Sequence, residues 1–221
     1  MEKFVKYFMI IMMAFTVTFV SCSDDDEDDG NPTTPTTTTY DLLVDYMISH
    51  DMDVTTVFDG WITTAENVAT KGTEGWNIID IRQPDDYDAG HIEGAINATL
   101  GGILEAAEGA TKPILVVCYT GQSAGHATMA LRLSGYADAK VLKWGMSGWN
   151  SATSGPWESN YGDAADNYST WIAAPGDITP TAEFGLPVIE SASTDGATIL
   201  AERVTVMLEG GFKGVGNADV L

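Results

Sequence analysis

The sequence predicts an α/β domain with a central, mostly parallel sheet flanked by helices, and three observations carry that prediction. Two runs, residues 76–82 with Ile78, Ile79 and Ile81 and residues 113–118 without a polar residue, read as strands covered on both faces. Segments of helical spacing alternate with them, above all residues 123–133, where Ala127, Ala130, Leu131 and Leu133 are available to face a sheet. The chain of 221 residues is 44% hydrophobic and 10% aromatic, enough to bury a sizeable core.

In chain order, the first element is a leader. Lys3 and Lys6 precede an apolar run of about 13 residues, 8–20, which ends at Ser21-Cys22. A basic head, an apolar stretch and a small-residue cleavage point make an export signal, since a spanning helix needs roughly 20 residues. Phe19-Val20-Ser21-Cys22 resembles the lipobox of bacterial lipoproteins, with Phe19 standing where an aliphatic residue is usual. The resemblance implies that Cys22 is lipidated and that residues 1–21 are removed. The run of acidic residues at 24–29 is similar to the surface-export signals of lipoproteins in Bacteroidetes-like bacteria. The expected address is therefore the outer membrane, on its periplasmic or cell-surface side, with the membrane reached through the lipid alone. Residues 22–39, acidic and then rich in Thr and Pro with no aliphatic residue to bury, read as an extended tether.

Folded sequence begins near Tyr40. Leu42, Leu43, Tyr46 and Met47 fall at helical spacing and predict a helix ending near His50. A short strand is expected over residues 54–58 and a helix over 63–69, with Thr63 or Thr64 as its N-cap. The strand at 76–82 follows, then helices at 84–89 and 102–107, the strand at 113–118, the helix at 123–133 and a strand at Val141-Leu142. A terminal turn or helix over 145–149 closes the domain, which spans residues 40–150. The remainder, 151–221, is broken by Pro156, Pro175, Pro180 and Pro187 and reads as a C-terminal accessory segment. One helix stands out in it, over 195–208, with Ile199, Leu200, Val204 and Met207 on one side. Residues 200–215 loosely parallel residues 42–57, so the alternative is the start of a second, incomplete module. The segment offers a surface for a protein partner. Trp144, Trp149, Trp157 and Trp171, with Tyr161 and Tyr168, are expected to pack a Gly-rich region that has few aliphatics.

Composition excludes one class of partner. The formal charge of -22, from 32 Asp and Glu against 10 Lys and Arg, repels phosphate backbones, so nucleic acid is not expected. Loss of residues 1–21 takes away Glu2, Lys3 and Lys6 and moves the charge to -23. With Cys22 lipidated, Cys118 is the one free thiol, and a disulfide framework is excluded.

Cys118 lies at the end of an apolar strand, ahead of Tyr119, Thr120, Gly121, Gln122, Ser123 and Ala124, where a helix begins. A strand that delivers a thiol into a tight Gly-containing loop and a helix places the sulfur at the rim of the sheet. Successive loop N–H groups and the helix start then form a nest that favours a thiolate and can hold a terminal persulfide sulfur.

Four segments carry a resemblance. Asp80-Ile81-Arg82, the stretch from Tyr87 through Gly90-His91-Ile92 to Asn97, Val116-Val117-Cys118-Tyr119-Thr120-Gly121-Gln122-Ser123-Ala124, and Trp144-Gly145-Met146-Ser147-Gly148-Trp149 resemble, in order and spacing, the rhodanese domain. The likeness implies a sulfurtransferase in which Cys118 takes sulfane sulfur from thiosulfate or a persulfide and passes it to a thiol or cyanide. Small sulfur donors and thiol acceptors are the implied partners, with no metal and no organic cofactor. Residues 119–124 would be the loop that binds the persulfide, and Gly121 the point where the chain curls at φ > 0. Asp80 and Arg82 would brace a strand end, and His91 would belong to a structural turn.

The loop departs from many rhodaneses, which carry an Arg near its end where this chain has Gln122 and Ser123. That departure favours persulfides over thiosulfate as the donor. The same lack of Arg, with Ala at position 124, argues against the related phosphatases and arsenate reductases, which need that guanidinium for a tetrahedral oxyanion. Thiol–disulfide exchange lacks its Cys-x-x-Cys pair. The competing reading is a catalytically inactive rhodanese fold that binds or senses at the cell envelope, with Cys118 a buried strand-end thiol.

Overall fold

The computed structural model describes residues 37–159, 161–162 and 183–214. The leader, Cys22 and nearly all of the tether lie outside the described residues, as do Tyr168, Trp171 and the end of the tail from residue 215.

Helix α1 (Thr39–Ser49) starts at a capping box in which Thr38 accepts from the Asp41 N–H and Asp41 returns the bond. Helix α2 (Val54–Val57) replaces the expected strand over 54–58. The cause is Asp53, whose carboxylate accepts from the backbone of Thr55 and Thr56 and from both hydroxyls, so the β-branched run is closed into a helical turn. The strand comes later, as β1 (Ile62–Thr63), followed by α3 (Ala65–Lys71) with Thr64 as N-cap. Thr63 belongs to the strand and is not the cap.

Next come β2 (Asn77–Asp80), α4 (Pro84–Ala89), β3 (Ile96–Asn97), α5 (Ile103–Ala106), β4 (Ile114–Val117), α6 (Gln122–Leu133) and β5 (Lys140–Leu142). Two 3-10 turns, Gly145–Gly148 and Ser151–Thr153, lead to α7 (Gly155–Glu158), and α8 (Gly196–Gly210) is the long helix expected in the tail.

The five strands are parallel, in the order β1-β5-β4-β2-β3, with Ile79 opposite both Val116 and Ile96. Side chains of alternate strand residues build two cores, one on each face. On one face Ile79, Ile114, Val116 and Val141 meet Leu43 of α1, Ile103 of α5, the Ala124, Ala127 and Ala130 stripe of α6, and Ile199, Leu200 and Val204 of α8. On the other, Ile78, Leu115, Val117 and Leu142 meet Val68 of α3, Trp76, Ile92 and Met146. This is why β4 is apolar without a break: all four of its residues are buried. The tail helix α8 thus shares the core of the sheet.

Among the described aromatic residues after position 143, the expected packing over a Gly-rich region is partial. Trp144 is 50% exposed and leans on Trp157, Tyr161 is 71% exposed, and Trp149 alone of the three indoles packs on the second core. The start of this segment is tied to the cysteine loop through the Met146 and Ser147 N–H groups, with Met146 buried in the second core.

Three carboxylates at helix starts tie stability to acid. Donors from Thr55 and Thr56 pull Asp53 from 3.8 to about 2, the Thr38 backbone and hydroxyl lower Asp41, and the Thr198 hydroxyl and backbone lower Asp195. A carboxyl lowered by folding contributes stability above its unfolded value and loses it as pH falls through the folded value. The expected result is weakening of the fold as pH drops from 3.8 towards about 2. Urea titrations at stepped pH check this, and Asp53→Asn, which keeps a capping oxygen, is expected to shallow the slope.

Candidate functional site

The end of β2, the end of β4 and the start of α6 meet at the C-terminal rim of the parallel sheet, where open α/β folds place their ligand sites. Cys118 follows β4 directly and is 2% exposed. Its Sγ accepts from the Gly121 N–H at 3.1 Å and the Ala124 N–H at 3.4 Å. Gly121 caps α6 at φ +91°, and the helix begins one residue earlier than the sequence implied, at Gln122. A Cβ on Gly121 would stand 3.2 Å from Leu142 O and 3.3 Å from Trp144 N, so the turn is closed against the neighbouring strand. Thr120 and Gln122 bond weakly to each other across the loop, Oγ1 to Oε1 at 3.5 Å. Ser123 and Ala124 ride on the first turn of α6, with Ala124 buried in the core.

Asp80 and Arg82 stand beside this loop as a buried ion pair, 1% and 5% exposed. The guanidinium donates to both carboxylate oxygens, from Nε at 3.0 and 3.1 Å and from Nη2 at 2.7 Å, and Nη2 also reaches Gly90 O at 2.6 Å. Asn97 of β3 donates to Asp80 O and Arg82 O and pins the same strand end. His91 lies on the turn after α4, where its ring stacks on Tyr87 at 3.9 Å and its Nδ1 is 2.8 Å from Tyr87 O.

Sequence reasoning missed the residues that hold the loop from the far side. The Met146 N–H donates to Cys118 O at 2.8 Å and the Ser147 N–H to Tyr119 O at 3.0 Å. Gly145, at φ +55°, lies so near that a Cβ there would collide with Cys118 O and stand 2.8 Å from Gly121 N. The signal was present as the Trp-Gly-Met-Ser-Gly-Trp segment, but nothing in a one-dimensional reading says that it underlies a loop 26 residues earlier.

Tyr119 and Met146 form part of the wall of a cleft of about 410 Å³, lined also by Arg82, Asp86, His91 and Trp149. Cys118 itself is not on that wall. Tyr119 donates its hydroxyl to Asp86, and its ring lies 6.0 Å from the Arg82 guanidinium carbon. Burial, then the bond to Asp86, pushes the Tyr119 phenol above its usual 10.0, which keeps it a donor at neutral pH. The Asp86 contact had no sequence signal, because it depends on where α4 comes to rest.

Comparison with known proteins gives consistent matches. A family model described as "Rhodanese-like domain" matches residues 63–152. The thiosulfate sulfurtransferase GlpE of Pseudoalteromonas translucida is 33% identical over 96 residues, which is 42% of this chain and 90% of that protein. Uncharacterized protein YibN of Escherichia coli K12 is 33% identical over 93 residues, 40% of this chain and 65% of YibN, so the match spans just under two thirds of that relative. Among solved structures, the crystal structure of reduced Bacillus anthracis CoADR-RHD is similar at 25% identity and a TM-score of 0.38, covering 45% of this chain and 18% of that one.

Proposed function

Because the chain belongs to the rhodanese-like family, we propose that it moves sulfane sulfur through a persulfide on Cys118. The observation that carries this reading is the pair of N–H groups, from Gly121 and Ala124, aimed at Sγ. Such donors stabilise a thiolate for attack and then a charged outer sulfur. The Cys118 thiolate attacks the outer sulfur of a donor R–S–SH, a new S–S bond forms at Cys118, and the donor's own S–S bond breaks. The inner sulfur leaves as R–S⁻ with the bonding pair. An acceptor such as cyanide or a thiolate then takes the outer sulfur, and Cys118 returns as thiolate.

The loop backbone does the positioning in this scheme. Arg82, neutralised by Asp80, braces the strand end, and Gly121 lets the chain turn tightly enough for two amides to converge. The leader and Cys22 would display the domain at the cell envelope on a lipid tether, an address that [³H]palmitate labelling lost in Cys22→Ala would establish.

A second reading has one observation in its favour. A sulfur 2% exposed, off the cleft wall, suits a catalytically inactive binding module. Thiocyanate production separates the two. Given glutathione persulfide or thiosulfate with cyanide, the protein is expected to turn over and Cys118→Ser to fall to the uncatalysed rate, at least about a thousandfold. Equal rates in the two proteins would leave the binding module.

A further inference from the structure

The charge around the cleft is opposite to what an anionic donor requires. Arg82 is the one Arg or Lys that lines the cleft among the described residues, and its guanidinium is already committed to Asp80 and to Gly90 O. Asp86 also lines it, from the first turn of α4, while Asp85 and Asp88 of the same helix are exposed carboxylates outside the lining. Tyr119 supplies one donor to Asp86, while a carboxylate offers about four acceptor positions. Tyr119 and Trp149 also line it, and aromatic side chains attract cations at their ring faces. The whole chain, at -22, adds a field that draws cations and repels anions.

We propose that this cleft selects persulfide donors that carry an ammonium group, held by Asp86 beside Tyr119, over anionic donors such as thiosulfate. The inference rests on Cys118 being the sulfur carrier. The ammonium contributes only binding and orientation. The transfer is the one written above, with the thiolate of an aminoalkyl thiol as leaving group.

Two synthetic persulfides of similar length isolate the charge: that of cysteamine, cationic, and that of 3-mercaptopropionate, anionic. Sulfur uptake by the full-length chain is followed by mass in single turnovers, with thiosulfate as a third donor. The cysteamine persulfide is expected to load at least about fivefold faster than the mercaptopropionate one, the scale of one exposed charge contact changing sign. Asp86→Asn, which retains an acceptor for Tyr119, is expected to bring the ratio near unity, and Asp86→Lys to invert it. Equal or faster loading from the anionic donors, or a ratio indifferent to Asp86, would overturn the selectivity while leaving Cys118 as the carrier. Uptake from none of the three would overturn both.

Discussion

Gly145→Ala is expected to lower sulfur-transfer turnover by about a hundredfold and to destabilise the fold by about 2–4 kcal/mol. Two independent effects add. At φ +55° any Cβ is strained, at roughly 1–2 kcal/mol for an L-residue in that region. The new methyl also has no space, because Cys118 O, Tyr119 C and Gly121 N already occupy it. Relief requires the cysteine loop to move, and a displacement of about 1 Å in a reacting group is enough for a loss near 10². Denaturant titration and turnover read the two effects separately. Gly109→Ala, at φ +73° but with nothing within 4 Å of the added Cβ, is the control that carries the backbone strain without the collision, and it is expected to cost about 1–2 kcal/mol and leave turnover unchanged.

Asp80→Ala is expected to cost about 3–5 kcal/mol, the range found when one partner of a buried ion pair is removed. The magnitude follows from what is left behind. Arg82 remains 5% exposed, loses both carboxylate oxygens and, among the described residues, keeps Gly90 O as the acceptor of its charge. Asp80→Leu together with Arg82→Met removes both charges and is expected to recover most of the loss, since an apolar pair of similar volume often replaces a buried ion pair at little cost. A single-variant loss below about 1 kcal/mol in a urea titration would mean that the pair behaves as a solvated surface bridge.

How much of this is legible in the sequence depends on how locally each feature is encoded. The strands around Ile79 and Val116, the helix from Gln122 and the tail helix from Gly196 were legible because apolar periodicity over many residues is a local signal. The nest at Cys118 was legible for a related reason: strand end, glycine and helix start are consecutive. Residues 54–58 misled because Val and Thr favour strands, whereas a single Asp53 with four donors decides a short segment. Strand β3 went unseen because it has two residues, both exposed, held by pairing to Ile79 and Asp80 and by the Asn97 amide. The Gly145 support and the Asp86–Tyr119 bond are contacts between distant parts of the chain, which no window of sequence contains.

The central claim is that Cys118 carries sulfur, and intact mass spectrometry tests it most directly. After incubation with glutathione persulfide or thiosulfate, the protein is expected to gain one sulfur, about 32 Da, that cyanide removes and that Cys118→Ser never acquires. A folded protein with a free Cys118 that gains no mass from either donor, or a Cys118→Ser variant that gains as much, would contradict it.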